Sequence, residues 1–272
     1  MKIGIFDSGL GGLIITKAVS KMLPEYDYVY LGDTKRVPYG NKSHQAVYEC
    51  TKEAIDYLFQ KENCALVIIA CNTASARALR EIQKNYVSQN FKDRKVLGVL
   101  IPAAEVASLY KRVGVLATLG TVASNAWAIE IKKLNKDTKV FQNPAPILVP
   151  LVEEGENALA VPFLLKYLRP FIKKSLDALV LGCTHYPILK KEIKSIVGKN
   201  VKVISQDEII PAKLKGYLAK HTEIAEKLSK NKSTKILVTD KTQNMDLLVK
   251  RWFGKTKSGG KIQAQVVSIE KF

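Results

Sequence analysis

The sequence predicts an α/β protein built from two similar lobes with mainly parallel sheets, related by a pseudo-two-fold axis, and an active site in the cleft between them. Three observations carry this expectation. Short apolar runs alternate with helical patterns along the whole chain, as they do where parallel strands are covered on both faces by helices. Ten such runs are many for one compact sheet in 272 residues, so two lobes are the better fit. One pattern also occurs twice: an apolar strand ends in Cys and two polar residues, at Cys71-Asn72-Thr73 and again at Cys183-Thr184-His185.

The elements follow in order from hydrophobic period and turn chemistry. Strand 2–6 stops at Asp7-Ser8-Gly9-Leu10-Gly11-Gly12, and helical spacing takes over at 13–22. Strand 28–31 runs into the loop Gly32–Gly40, then helix 45–60. Strand 66–70 ends at Cys71, with helix 75–85 after it. Strands 96–99 and 112–117 come next, then helix 121–134, strand 139–142 and helix 159–172. Strand 178–181 leads to Cys183 and helix 188–197, and strands 202–204, 236–238 and 263–267 complete the series. Soft boundaries fall near 98–102 and 206–211. Read as crossings, they give a first lobe of 1–97 plus 209–272 and an inserted lobe of 98–208, with a hinge where the chain crosses twice.

Composition narrows the class. Apolar residues are 47% and charged residues 25%, which excludes a disordered chain and a disulfide-stapled miniature. The net charge of +18 invites a nucleic-acid or membrane-surface reading. Its make-up weakens that reading: 36 of the 43 basic residues are Lys, whereas base readers and phosphate clamps lean on Arg. Residues 199–272 hold 16 basic and 7 acidic residues, about half the net charge, with no nucleic-acid motif. Binding to nucleic acid is therefore disfavoured, and a solvated basic face is the plainer reading. The N-terminus reads as a strand rather than a signal peptide, and no apolar stretch reaches bilayer length. A cytoplasmic protein with reduced thiols and no membrane partner is expected. A homodimer is left open.

Four cysteines stand at 50, 64, 71 and 183, with no C-x-x-C pair and no metal-ligand spacing, so no metal is expected. Cys50, inside a helical pattern, and Cys64, just before a strand, read as structural thiols. Cys71 and Cys183 sit where open α/β sheets place ligands, outside the carboxyl ends of strands. A helix expected after each would turn positive N–H groups toward the sulfur. A second cysteine in a matching position has no role in simple acyl transfer. It has one where a proton is added to one face of a carbon and removed from the other. Cys183 and His185 are two apart, a spacing that does not require their side chains to meet. His44 flanks a helix start, and His221 lies on a basic stretch. The first loop lacks both G-x-G-x-x-G and a P-loop ending, and Asp7 would repel a phosphate, so Asp7-Ser8 suits an ammonium group or a catalytic partner. Pro38 and Gly40 suit a rigid loop over a cleft. Thr118 and Thr121 offer hydroxyls, and Glu153 and Glu154 lie near an expected turn.

Together these segments resemble the glutamate racemase family. The resemblance rests on Gly4-Ile5-Phe6-Asp7-Ser8-Gly9-Leu10-Gly11-Gly12-Leu13 and on Tyr30-Leu31-Gly32-Asp33-Thr34 with Val37-Pro38-Tyr39-Gly40. It continues through Ala70-Cys71-Asn72-Thr73-Ala74, Gly114-Val115-Leu116-Ala117-Thr118 with Gly120-Thr121, and Leu181-Gly182-Cys183-Thr184-His185-Tyr186-Pro187. It spans residues 1–187 and is weak from about Val201. There Val203-Ile204-Ser205-Gln206-Asp207 departs from the Asp-Ser pair often found in the family. The resemblance implies two α/β lobes enclosing the substrate, no cofactor or metal, and interconversion of L- and D-glutamate, with D-glutamate feeding bacterial peptidoglycan. It implies Cys71 and Cys183 as the acid/base pair, the first handling the α-proton of the D-isomer and the second that of the L-isomer. Asp7 and His185 resemble the groups that assist each thiol. Ser8, Tyr39, Gly40, Asn72, Thr73 and Thr184 resemble substrate contacts, with Thr118 and Thr121 added and Asp33 and Glu153 in support. Two alternatives stand beside this: a racemase of the same superfamily acting on aspartate or another amino acid, and a basic nucleic-acid-associated protein.

Overall fold

A computed structural model describes residues 1–254 and 263–270. Each expected strand is present among the described residues. They are β1 (Lys2–Asp7), β2 (Tyr28–Gly32), β3 (Cys64–Ile69), β4 (Lys95–Gly98), β5 (Arg112–Ala117), β6 (Lys139–Pro144), β7 (Ala178–Gly182), β8 (Lys202–Ile204), β9 (Thr234–Val238) and β10 (Ala264–Val266). They form two parallel sheets, one in the order β10-β9-β2-β1-β3-β4 and one in the order β6-β5-β7-β8. Residues 255–262 and 271–272, part of the segment assigned to the first lobe, lie outside the described residues.

The faint repeat in the sequence becomes a repeat of topology. β2-β1-β3-β4 and β6-β5-β7-β8 have the same order, with β5 standing where β1 stands and β7 where β3 stands. In each set the chain leaves the first strand to one side and returns on the other, opening a crevice at the carboxyl ends of the pair. Asp7 and Cys71 lie at one crevice, Thr118 and Cys183 at the other.

Alternation inside wholly buried strands assigns the faces. Ile3, Ile5, Leu66 and Ile68 point into a core shared with Leu116, Leu179, Leu181 and Val203 of the second sheet. Phe6, Val67 and Ile69 face a separate core with Leu58 and Phe59, whereas Val113, Val115, Ala178 and Val180 face one with Trp127 and Ile131. Each fully buried Ile or Leu contributes about 1.5–3 kcal/mol relative to exposure. The shared core therefore joins the two sheets through apolar burial as well as through the polar contacts at the crevices.

The helices that place the site are α1 (Gly12–Met22), α2 (His44–Gln60), α3 (Asn72–Arg77), α4 (Leu100–Ala107), α5 (Leu119–Ala123), α6 (Ala126–Leu134), α7 (Leu148–Glu154), α8 (Asn157–Ile172), α9 (Lys190–Val197), α10 (Gln206–Lys220) and α11 (Met245–Trp252). Ser43 caps α2 by accepting from the N–H of Ala46 at 3.2 Å, and His44 is its first residue. Two expectations need correction. The helix expected over 121–134 is split into α5 and α6 at Asn125, which takes φ 55. The one expected over 75–85 begins at Asn72 and passes into a wide-turn stretch at Ile82–Val87. The soft boundaries near 98–102 and 206–211 fall at the starts of α4 and α10, with Pro102 and Pro211 accommodated within these helices. Glu153 and Glu154 end α7 next to the expected turn, where Gly155 follows at φ 84, a left-handed stop that glycine adopts without strain.

Parallel packing at the crevice leaves little room. A Cβ at Gly32, the last residue of β2, would come within 2.3 Å of the Gly9 carbonyl oxygen. That carbonyl also accepts from the Tyr30 hydroxyl at 2.6 Å. Gly32→Ala is expected to cost about 1–3 kcal/mol, a fall of several degrees in the melting midpoint, read by calorimetry against the wild type.

Candidate active site

The two crevices open on one cavity of about 350 Å³, within the range of small-molecule sites. Ser8 and Gly9 after β1, Tyr39 and Gly40 from the loop after β2, and Cys71, Asn72 and Thr73 after β3 form one wall. Thr118 after β5 and Cys183, Thr184 and His185 after β7 form the facing wall, and Val149, Pro150 and Glu153 of α7 close one side. Asp7, Asp33 and Thr121 stand behind these walls and are buried. Among the described residues no Lys or Arg lines the cavity.

Cys71 caps α3. Its Sγ accepts from the N–H of Ala74 at 3.5 Å and lies 3.3 Å from the Ser8 hydroxyl. The expected lowering of this thiol by the helix end does not prevail. Burial, joined by the charge of Asp7, pushes the Cys71 thiol up to about 12, against the downward pull of Ser8 and the Ala74 N–H. α3 is six residues long, and desolvation of a buried thiolate outweighs so short a dipole. Cys71 therefore carries its proton at neutral pH.

Cys183 differs in its support. It is followed not by a helix but by a 3-10 turn at Tyr186–Leu189, with α9 starting only at Lys190. The expected helix end is absent, and a histidine takes its place. The Cys183 and His185 side chains do meet, Sγ to Nδ1 at 3.8 Å, because the turn after β7 folds the imidazole back over the strand end. His185 Nε2 lies 2.9 Å from a Glu153 carboxylate oxygen. Burial pulls His185 down, but its hydrogen bonds to Cys183 and Glu153 outweigh this and raise it to about 10. The imidazole ring also meets Trp252 edge-on, with centroids 5.4 Å apart.

Neutral groups bridge the walls. The hydroxyls of Thr73, Thr118 and Thr121 form a triangle with edges of 2.9, 3.2 and 2.9 Å. Asp7 accepts from the Gly9 N–H at 2.9 Å and from the Thr184 hydroxyl at 3.3 Å. Burial raises Asp7 despite the charge of His185 and the N–H donors around it. Asp33, fully buried, accepts from the Tyr39 hydroxyl at 2.5 Å, Arg36 at 2.7 Å and Thr239 at 2.8 Å, which fixes the ring of Tyr39 at the cavity. Gly11 and Gly40 permit the close approach. A Cβ at Gly11 would lie 2.4 Å from the Thr184 hydroxyl and 2.6 Å from His185 Nδ1, and one at Gly40 would lie 3.0 Å from Thr118 Cβ.

Three contributors escaped the sequence reading. Trp252 lies 67 residues from His185 with no motif around it. Arg77 donates to the Gly120 and Lys42 carbonyls, tying the two walls together. In the sequence Gln206 stands out only as a departure in the segment of weakest resemblance, yet its side chain pairs with Asn72. Cys50 and Cys64 are buried away from the cavity, and all four cysteines are free. Among the described residues no group of three or more His, Cys, Asp or Glu is disposed to hold a metal ion, and no helix is long and apolar enough to cross a membrane.

The state of Cys71 is testable. Asp7→Asn removes the neighbouring negative charge, so the Cys71 thiolate is expected to form at lower pH. The ultraviolet thiolate signal, taken as a difference from Cys71→Ser in each background, should move in that direction. An unmoved curve would assign the shift to burial alone.

Comparison with known proteins identifies the family of the chain. The Asp/Glu/Hydantoin racemase profile matches residues 13–209. The chain is 37% identical to a glutamate racemase of Sulfurihydrogenibium sp. over 263 residues, covering 95% of this chain and 96% of the relative. It is 42% identical to a glutamate racemase of Chlorobaculum parvum over 224 residues, 80% of each chain. Its structure is similar to the crystal structure of glutamate racemase from Francisella tularensis in complex with D-glutamate, with a TM-score of 0.88 at 32% identity, covering 100% of this chain and 98% of the other. The chain belongs to the Asp/Glu/Hydantoin racemase family, on its glutamate racemase branch.

Proposed function

We propose that this protein interconverts L- and D-glutamate by proton transfer between two thiols, and so supplies D-glutamate for peptidoglycan synthesis. The observation that carries the reading is the placement of Cys71 and Cys183 at equivalent strand ends of two sheets, facing one cavity. A single sheet would present both thiols from the same side. Two facing sheets present them to opposite faces of one carbon, as inversion requires.

The reaction follows from the unequal surroundings of the sulfurs. With L-glutamate bound, a Cys183 thiolate, with the His185 cation as its counter-ion, takes the α-proton. The carbon–hydrogen electron pair passes into the α-carboxylate as an enediolate, and the Cys71 thiol delivers its proton to the other face. The enzyme is left with a Cys71 thiolate and a Cys183 thiol, the form that runs the reverse direction. The developing charge needs donors already in place. Thr73, Thr118, Thr184, Asn72 and the backbone N–H groups at the strand ends supply them, with no Lys or Arg among the described residues of the wall. The Asp7 charge favours the protonated form of Cys71, Glu153 balances the His185 cation, and Asp33 acts through Tyr39. The division into 1–97 plus 209–272 and 98–208 gives two bodies that close over the substrate and exclude water.

The test is incubation of purified protein with L-glutamate, and separately with L-aspartate, in deuterium oxide without added cofactor. Loss of optical rotation with deuterium at the α-carbon is expected for glutamate. Preference for aspartate would reassign the substrate, and no exchange with either would end the racemase reading. Cys71→Ala and Cys183→Ala are each expected to lower kcat in both directions by at least about 10³-fold, at the upper end of acid–base effects. Full activity in either variant would rule out the two-thiol mechanism.

A further inference from the structure

Gln206 is the first residue of α10, directly after β8 in the second sheet, and it is 2% exposed. Asn72 is the first residue of α3, directly after Cys71 in the first sheet, and it is also 2% exposed. Their side-chain amides form a closed pair. Asn72 Nδ2 donates to Gln206 Oε1 at 2.8 Å, and Gln206 Nε2 donates to Asn72 Oδ1 at 2.6 Å. The partners are 134 residues apart in the chain. Asn72 lines the cavity and Gln206 does not, so Gln206 can affect a ligand there only through Asn72.

A carboxamide has two N–H donors and two acceptor lone pairs on its oxygen. The pair uses one of each on both residues and holds the two amide planes together. Asn72 is left with one N–H and one lone pair, in fixed directions, for whatever occupies the cavity. The far side of the pair is firmly placed, because α10 packs against both α1 and α4. With Gln206 removed, Asn72 would keep its burial and lose both partners. Its amide would then rotate to seek others, and the donor beside Cys71 would lose its direction.

We infer that Gln206 is a positioning residue for the two-thiol site: its amide fixes Asn72 so that the remaining Asn72 N–H is aimed at a substrate carboxylate next to Cys71. This rests on the racemase reading above. It adds a link from the second sheet to the wall that carries the first thiol.

The test uses Gln206→Met, which keeps side-chain length and burial but has no amide, together with Asn72→Ala and the double variant. Melting midpoints control for folding, and Gln206→Glu, which retains an acceptor for Asn72 Nδ2 and places an anion against Asn72 Oδ1, serves as a second probe should Gln206→Met fold poorly. A misplaced contact near reacting atoms costs on the order of 10²-fold. Gln206→Met is therefore expected to lower kcat/KM for L- and D-glutamate by about 10- to 100-fold. The two enantiomers have equal free energy, so the loss must be the same in both directions. Added to Asn72→Ala, Gln206→Met should cause no further loss, which a general effect on stability would not reproduce. Wild-type kcat/KM in folded Gln206→Met or Gln206→Glu, or losses that multiply with that of Asn72→Ala, would overturn the inference and leave the racemase reading intact. A wild-type protein inert toward glutamate would instead remove the reading on which it rests.

Discussion

The site depends on the close meeting of two parallel sheets at their carboxyl ends. Each sheet alone supplies a crevice with one thiol. Only when β1 and β3 face β5 and β7 across a cavity of about 350 Å³ do both sulfurs address the same ligand. The approach is set by the backbone. Gly11 lies where any side chain would enter the space of Thr184 and His185, and Gly40 touches Thr118. The shared apolar core beneath holds the sheets together, and the hydroxyl triangle, the Asp7–Thr184 contact and the Asn72–Gln206 pair join them at the rim.

Topological similarity between the halves does not extend to their electrostatics. Cys71 is buried beside a carboxylate and a hydroxyl, so its protonated form is favoured. Cys183 lies beside a histidine whose charge is sustained by Glu153. In the proposed racemisation the two directions begin from opposite protonation states, and the protonated Cys71 suits the direction in which it is the donor. The other begins from the form that the first leaves behind.

The net charge of +18 has little to do with this chemistry. Among the described residues no Lys or Arg lines the cavity, and the donors there are hydroxyls, an amide, backbone N–H groups and the His185 imidazole beside Cys183. Neutral donors suit a carbanionic intermediate because they stabilise charge as it develops without binding the ground-state carboxylate as firmly as Lys or Arg would. What remains for the surface charge is a field that draws an anionic amino acid toward the protein.

Period and turn chemistry in the sequence were enough to place the strands and to find the repeated Cys motif, because buried parallel strands leave continuous apolar runs and end at polar turns. They also placed Ser8, Asn72, Thr73, Thr118 and Thr184 at strand ends, whereas Tyr39, in the loop after β2, came from the family resemblance. Local signals failed where an outcome depends on competition between distant groups. The sequence promised a helix end at each thiol, but Cys183 received a histidine and Cys71 a burial cost that its short helix does not offset. The contact of His185 with Trp252 and the pairing of Asn72 with Gln206 join residues 67 and 134 positions apart, and no periodicity records them. The chain itself determined which residues stand at strand ends. The tertiary structure alone decided which ends face each other and that the Cys71 thiol is pushed up, since both depend on burial and on charges brought together only when the sheets meet.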